Sequence, residues 1–227
     1  MYRGKGKKGP LRMRQGSRVY HRDELGEMRE ILTDIFTWSR FSEPHGYDFN
    51  GHLVRHAEGN LCIDPVEPGE DVVEWINGHG VARILLTNRN HSRAANLMRQ
   101  RTGARVAIHP DDAAHARSQG TDLDDELLAG DKLGPLVAIA VPGKSPGEVA
   151  FHWPERRLLI VGDAVIGNPP GQCGLLREAV IADPPQLRAS VRCLLDLDFD
   201  TLLVGDGKSI LRDAKARLRE LVESFPS

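Results

Sequence analysis

The run Ala82–Thr87 (ARILLT) constrains this chain most. It is apolar without strict alternation, and a strand of that kind needs cover on both faces. A helical pattern follows at once. Ala94, Ala95, Leu97 and Met98 share one face of His91–Thr102, which Gly103 closes. Arg105–His109 then reads as another strand and Asp111–Gln119 as another short helix. Strands feeding directly into helices build layered α/β folds.

The flanking segments extend the pattern. Ile35–Ser39, His52–His56 and Leu61–Val66 read as strands. Between the last two, Glu58-Gly59-Asn60 supplies residues that tolerate the positive φ of a tight hairpin. Gly69–Gly80 carries Val72, Val73 and Ile76 at helical spacing, and residues 19–33 are expected to start a short helix. After a polar loop over Thr121–Asp131 come three strands, Leu136–Val141, Val149–Trp153 and Leu158–Val161. Pro184–Leu197 is an amphipathic helix with proline in its first turn. Leu202–Val204 is a last strand and Ser209–Phe225 a last helix, opened by a serine cap. This order predicts two sheets packed together with helices outside, an αββα sandwich, in a single domain over residues 21–227.

Composition narrows the function classes. Apolar residues are 40% and charged residues 27% of the 227, the balance of a globular protein. No stretch approaches the ~20 apolar residues of a membrane helix, and no apolar signal segment follows the basic start, so a cytoplasmic protein without a membrane partner is expected. Cys62, Cys173 and Cys193 lack CxxC spacing and read as buried thiols. Residues 1–18 hold Arg3, Lys5, Lys7, Lys8, Arg12, Arg14 and Arg18 and no acid. Subtracting those seven from the 30 Lys and Arg leaves 23 against 32 acidic residues in the remainder. Residues 1–20 are therefore expected to form a solvated basic tail. A nucleic-acid arm is the sharper alternative, but an acidic body repels a polyanion and Tyr2 is the one aromatic residue of residues 1–18.

Three motifs fail their structural context. The triplets Gly143-Lys144-Ser145 and Gly207-Lys208-Ser209 lack the P-loop glycine five positions earlier, where Ala138 and Leu202 stand. Gly143-Lys144-Ser145-Pro146-Gly147 has the letters of a nucleophile elbow but leads into a strand, not a helix. His52 and His56 stand four apart on a strand, ~13 Å, too far to share a metal. The remaining histidines at 21, 45, 79, 109, 115 and 152 read as surface or hydrogen-bonded groups.

One stretch carries a resemblance. Ile84-Leu85-Leu86-Thr87-Asn88-Arg89-Asn90-His91-Ser92-Arg93 resembles the second motif of the metallo-β-lactamase superfamily, an apolar strand ending in Thr-His-x-His-x-Asp-His. Val141–Gly147 is similar to the family's Pro-Gly-His-Thr-Pro-Gly turn, and Leu158–Asp163 to its strand ending in Gly-Asp. Leu202–Gly207 is similar to its final strand, ending in Gly-His-Gly, and Leu61–Pro65 to its first motif, an aspartate ending an early strand. The resemblance covers residues 34–225 and implies the αββα fold. It also implies that Asn88, Asn90 and Lys144 stand where relatives hold a first metal. Ser92, Arg93, Asp163 and Asp206 would then stand where they hold a second.

Those residue types change the chemistry. Zinc is bound by imidazole, thiolate or carboxylate. Asparagine is a poor donor, and lysine or arginine repels a dication. No metal cofactor is expected; zinc would have only Asp163 and Asp206 to hold it. Arg93 and Lys144 are expected to act as fixed cations opposite the two aspartates, with Arg93 paired to Asp163, since buried carboxylates are costly unless paired. The competing expectation is four ordinary solvated surface charges. His91 falls at a variable motif position, off the ligand set and near solvent, and Asp64 is expected to make structural hydrogen bonds.

Three functions follow. The first is a superfamily member without zinc hydrolase activity, a pseudoenzyme or binder of a small polar ligand at Asn88, Asn90 and Ser92. The second is a hydrolase of ester, thioester or lactam-like bonds with Asp163 or His91 as base and Lys144 or Arg93 stabilising an oxyanion. The third is an interaction module using the basic arm.

Overall fold

The computed structural model describes residues 27–226. The expected basic tail and the start of the expected domain at residue 21 lie outside the described residues. Two sheets stack. The first holds β1 (Arg29–Leu32), β2 (Ile35–Ser42), β3 (Tyr47–Val54), β4 (Leu61–Ile63), β5 (Arg83–Leu85), β6 (Arg105–Ile108) and β7 (Asp125–Glu126) in that spatial order. Strands β1 to β4 pair antiparallel and β4 to β7 parallel. The second sheet holds β8 (Lys132–Leu133), β9 (Leu136–Ala140), β10 (Val149–Trp153), β11 (Leu158–Val161) and β12 (Thr201–Val204), with only β11 and β12 parallel. Helices α1 (Glu70–His79), α2 (Ala95–Thr102) and α3 (Pro110–Ser118) cover the first sheet; α4 (Pro184–Leu194) and α5 (Ala214–Glu223) cover the second.

The unbroken apolar strands are explained by burial on both faces. In β11, Leu158 and Ile160 enter the layer between the sheets with Phe151 and Leu85, while Leu159 and Val161 pack outward on Leu187 and Leu218. In β5, Leu85 faces the inner layer and Ile84 meets Ile76 and Met98 of α1 and α2. Each such side chain, when fully buried, contributes about 1.5–3 kcal/mol. Between β3 and β4, Gly59 takes φ +122, the positive value its hairpin position requires.

Four expectations are corrected. The helix expected over 19–33 is, in its described part, strand β1, because Arg29 and Glu30 pair with Thr37 and Phe36 of β2. The last helix starts at Ala214, not Ser209. Residue 210 is held in an antiparallel bridge to Leu202, and the Ser209 hydroxyl accepts from the Val204 amide instead of capping a helix. The polar loop at 121–131 contains β7, which extends the sheet beside β6 and ties Asp125 to Arg105. Of the three thiols, only Cys62 is buried; Cys173 is half-buried and Cys193 exposed.

The topology gathers the chemistry at one end. Asp64 follows β4, residues 87–93 follow β5, Lys144 sits in the β9–β10 turn, and Asp163 and Asp206 follow β11 and β12. The helix expected from His91 begins only at Ala95, because residues 91–94 form turns that leave His91 and Arg93 facing that end.

Candidate functional site

At the rim of the two sheets, buried charges form a paired lattice. Lys144 Nζ donates to Asp163 Oδ2 at 2.6 Å and to Asn90 Oδ1 at 2.6 Å. Arg93 Nη2 donates to Asp206 Oδ1 at 2.8 Å, its guanidinium lying 3.9 Å over the Phe49 ring. Between these pairs sits His91, fully buried, with Nδ1 2.7 Å from Asp64 Oδ2 and Nε2 3.1 Å from Asp163 Oδ1. Side-chain exposure is 8% for Lys144, 5% for Asp163 and 6% for Asp206, so these are not solvated surface charges.

Two expectations change here. Arg93 reaches Asp206, and Asp163 is taken by Lys144 and His91. His91 is the centre of the lattice and not a solvent-facing residue. Its side chain turns inward because the chain stays in turns until Ala95. The sequence did hold a signal for it: His91 is the one imidazole left in a motif otherwise stripped of histidine.

Burial and the Arg93 charge both oppose protonation of His91, but Asp163 and Asp64 outweigh them and raise its pKa to about 10. Burial likewise opposes ionisation of Asp163, yet His91 and Lys144 hold it far below the usual carboxylate range. Three cations, His91, Lys144 and Arg93, therefore face three anions, Asp64, Asp163 and Asp206. Asp64 is fixed from behind as expected, accepting from the Thr87 amide at 2.8 Å and the Thr87 hydroxyl at 2.5 Å. The Tyr47 hydroxyl lies beside Asp206. Burial first, and then the Asp206 and Asp163 charges, push its pKa up to about 12, so it remains a donor.

Glycines before both aspartates make the close approach possible. A Cβ on Gly162 would lie 2.2 Å from Thr87 Oγ1, and one on Gly205 2.4 Å from His91 Cε1. Gly205→Ala should cost about 1–3 kcal/mol by overpacking, read by urea unfolding; a loss below about 0.5 kcal/mol would show that the ring is not clamped.

The remaining candidates divide. Asn88 Oδ1 accepts from the Asn90 amide at 2.8 Å, and its Nδ2 lies 3.4 Å from Glu148 Oε1. Ser92, half-buried, offers its main-chain carbonyl to Ala95, and its hydroxyl makes no hydrogen bond among the described residues. Ser145 is a structural donor: its hydroxyl bonds Asp112 Oδ2 at 2.5 Å, and the same carboxylate accepts from the Arg89 and Gly147 amides. Sequence reasoning missed Tyr47, Phe49 and Glu148. Tyr47 and Phe49 arrive through the pairing of β3 with the Asp206 segment, for which the sequence has no signal. Glu148 is buried with one carboxyl oxygen lacking any hydrogen-bond partner among the described residues. Burial and then Asp163 raise its pKa well above the carboxylate range.

One ligand atom each from His91, Asp163 and Asp206 lies within 4.8 Å of the others, close enough to share one metal ion. As arranged, each of those atoms is already engaged. His91 holds Asp163 and Asp64, Lys144 holds Asp163, and Arg93 holds Asp206.

The sequence model of the metallo-beta-lactamase superfamily matches residues 29–225. The chain belongs to that superfamily. Among curated relatives, the hydroxyacylglutathione hydrolase of Ectopseudomonas mendocina is 34% identical over 140 residues, 58% of this chain and 51% of the relative. That of Fuscovulum blasticum is 33% identical over 155 residues, 65% and 57% of the two chains. The chain thus spans about half the length of the curated relatives it matches. Among solved structures, TTHA1623 in a di-iron-bound form is 28% identical with a TM-score of 0.62, covering 76% of this chain and 94% of that one. The superfamily fold is seen again in the mono-zinc form of FIM-1 from Pseudomonas aeruginosa, at a TM-score of 0.73, 16% identity and coverage of 89% and 97%. The two stacked sheets with outer helices are the expected sandwich. Among the described residues no helix is long and apolar enough to cross a membrane.

Proposed function

We propose that this chain is a non-metallo member of the superfamily that binds a small polar ligand and does not carry out zinc-dependent hydrolysis. The observation that carries this reading is the Lys144 ammonium, 2.6 Å from Asp163 and 2.6 Å from Asn90, at the positions where the family motifs place metal ligands. The residues do not fit a metal ion. A metal ligand must offer a free lone pair, whereas both His91 nitrogens are engaged by carboxylates and the aspartate oxygens nearest it are held by cations. Ammonium and guanidinium groups balance the carboxylates but offer no coordination position at which water is activated. At the rim, Asn90, Ser92 and the outer edge of Arg93 supply hydrogen-bonding groups for a polar ligand.

A thioester hydrolase is the second reading, favoured by the name of the curated relatives. His91 is poorly placed as its base, since both ring nitrogens are engaged by carboxylates. Elemental analysis of protein purified without chelator, zinc titration by calorimetry and a hydroxyacylglutathione assay test the proposal together. The expected results are metal well below one equivalent, no zinc binding and no turnover. Stoichiometric metal lost in Asp163→Ala would overturn it. Amide shifts on adding small carboxylic and amide fragments should fall first at Asn90, Ser92 and Arg93; silence there would remove the ligand-binding half of the proposal.

A further inference from the structure

At the opposite end of the sandwich, a cavity of about 370 Å³ opens between the β1–β2 turn, the β3–β4 loop, the end of α1 and the β10–β11 turn. Arg55 of this cavity lies five residues beyond Asn50, which bonds the Asp206 segment, or ~17 Å of extended chain. It is therefore separate from the ion-pair lattice. Asp34 is the one acid in its lining, facing two guanidinium groups. Its oxygens lie 3.8 Å from Arg55 Nη1 and 3.9 Å from Arg156 Nη2, beyond hydrogen-bond distance. One carboxylate thus serves two cations and saturates neither.

The donors are unspent and oriented. Among the described residues the Arg55 guanidinium makes no hydrogen bond. Arg156 spends one nitrogen on the Thr33 carbonyl and is held 4.6 Å over the Trp153 ring. His56 Nδ1 accepts from the Glu58 amide, which leaves the proton on Nε2 as a further donor. Its ring is set edge-on against Trp153. A cavity with one excess positive charge and three free donor groups suits an oxyanion, and a guanidinium fork fits carboxylate or phosphate in two parallel hydrogen bonds. The volume is that of a small-metabolite site.

The geometry points to an anion-binding site at this end of the fold, taking the phosphate or carboxylate group of a small metabolite between Arg55, Arg156 and His56. It stands independently of the proposed function. Calorimetric titration of the full chain with inorganic phosphate and with succinate, at constant ionic strength, tests it. Saturable binding of one of them is expected, phosphate alone indicating a phosphoryl ligand and succinate alone a carboxylate. Arg55→Met should weaken it about tenfold or more, with the unfolding curve unchanged because that side chain has no hydrogen bond to lose. Arg217→Met, in an exposed pair with Glu220 on α5 and outside both sites, should leave the affinity as it was. Failure of both anions to bind the wild type would overturn the site. So would an affinity left unchanged by Arg55→Met.

Discussion

Asp163→Ala should destabilise the fold by about 3–5 kcal/mol, the cost of stranding buried charges by removing their partner. Lys144 and His91 both donate to this carboxylate, and neither can reach bulk water, with exposures of 8% and 0%. Pairing Asp163→Ala with Lys144→Met should recover much of the loss, because the stranded ammonium goes too, and the coupling energy should fall in the 0.5–3 kcal/mol range of directly contacting groups, roughly. The Arg93–Asp206 pair should behave likewise, its cost reduced by the 21% exposure of Arg93. A cycle crossing the pairs, Arg93→Met with Asp163→Ala, should couple less than either. Urea denaturation of the single and double variants gives the answer. An Asp163→Ala loss within about 0.5 kcal/mol of zero would show the lattice to be solvated after all.

The second large effect is on the alkaline side of the stability curve. His91 has a folded pKa near 10, above the ~6.5 of an unfolded histidine. The folded state therefore keeps a proton that the unfolded chain releases. This contribution is complete below about pH 6.5 and is lost as pH rises through about 10, with a slope of up to ~1.4 kcal/mol per pH unit. Glu148, a buried carboxyl whose pKa is raised, acts in the same sense from about pH 4.3 upward, where the unfolded chain ionises first. Two groups shape the acid side. Asp163, with a depressed pKa, contributes fully above about pH 3.9 and loses that contribution as pH falls. His52, buried and lowered to about 4, gives up its share as pH drops from about 6.5. Melting temperatures from pH 6 to pH 10 should thus decline steadily. His91→Gln should be less stable at pH 6 and should fall less steeply above it, keeping only the Glu148 contribution. Parallel curves for variant and wild type would refute the charged imidazole.

Much of this was legible beforehand. The unbroken apolar runs Leu158–Val161 and Leu202–Val204 and the helical spacing in Gly69–Gly80 predicted their elements. The family resemblance carried by the apolar strand ending at Thr87, the Val141–Gly147 turn and the two Gly-Asp strand ends implied that Asn88, Asn90, Lys144, Asp163 and Asp206 share one rim. Such signals are local, or follow motif order along the chain. The partner of each charge was not legible. A sequence gives the sign of Arg93 but not which of two aspartates, 163 and 206, lies within 2.8 Å of it. It also led to the wrong face for His91, because helical periodicity said nothing of the turns that delay α2 until Ala95.

The order of elements along the chain was enough for the layers, and the resemblance for the rim on which the polar residues collect. Only the tertiary structure decided that His91 joins Asp64 to Asp163, that Glu148 is buried without a full set of partners, and that Arg55 and Arg156 share one acid at the far end. Hydrophobic burial depends on a pattern repeated along the chain and tolerates small displacements. An ion pair depends on two atoms meeting within about 3 Å, and the packing of strands and turns far apart in sequence sets that distance.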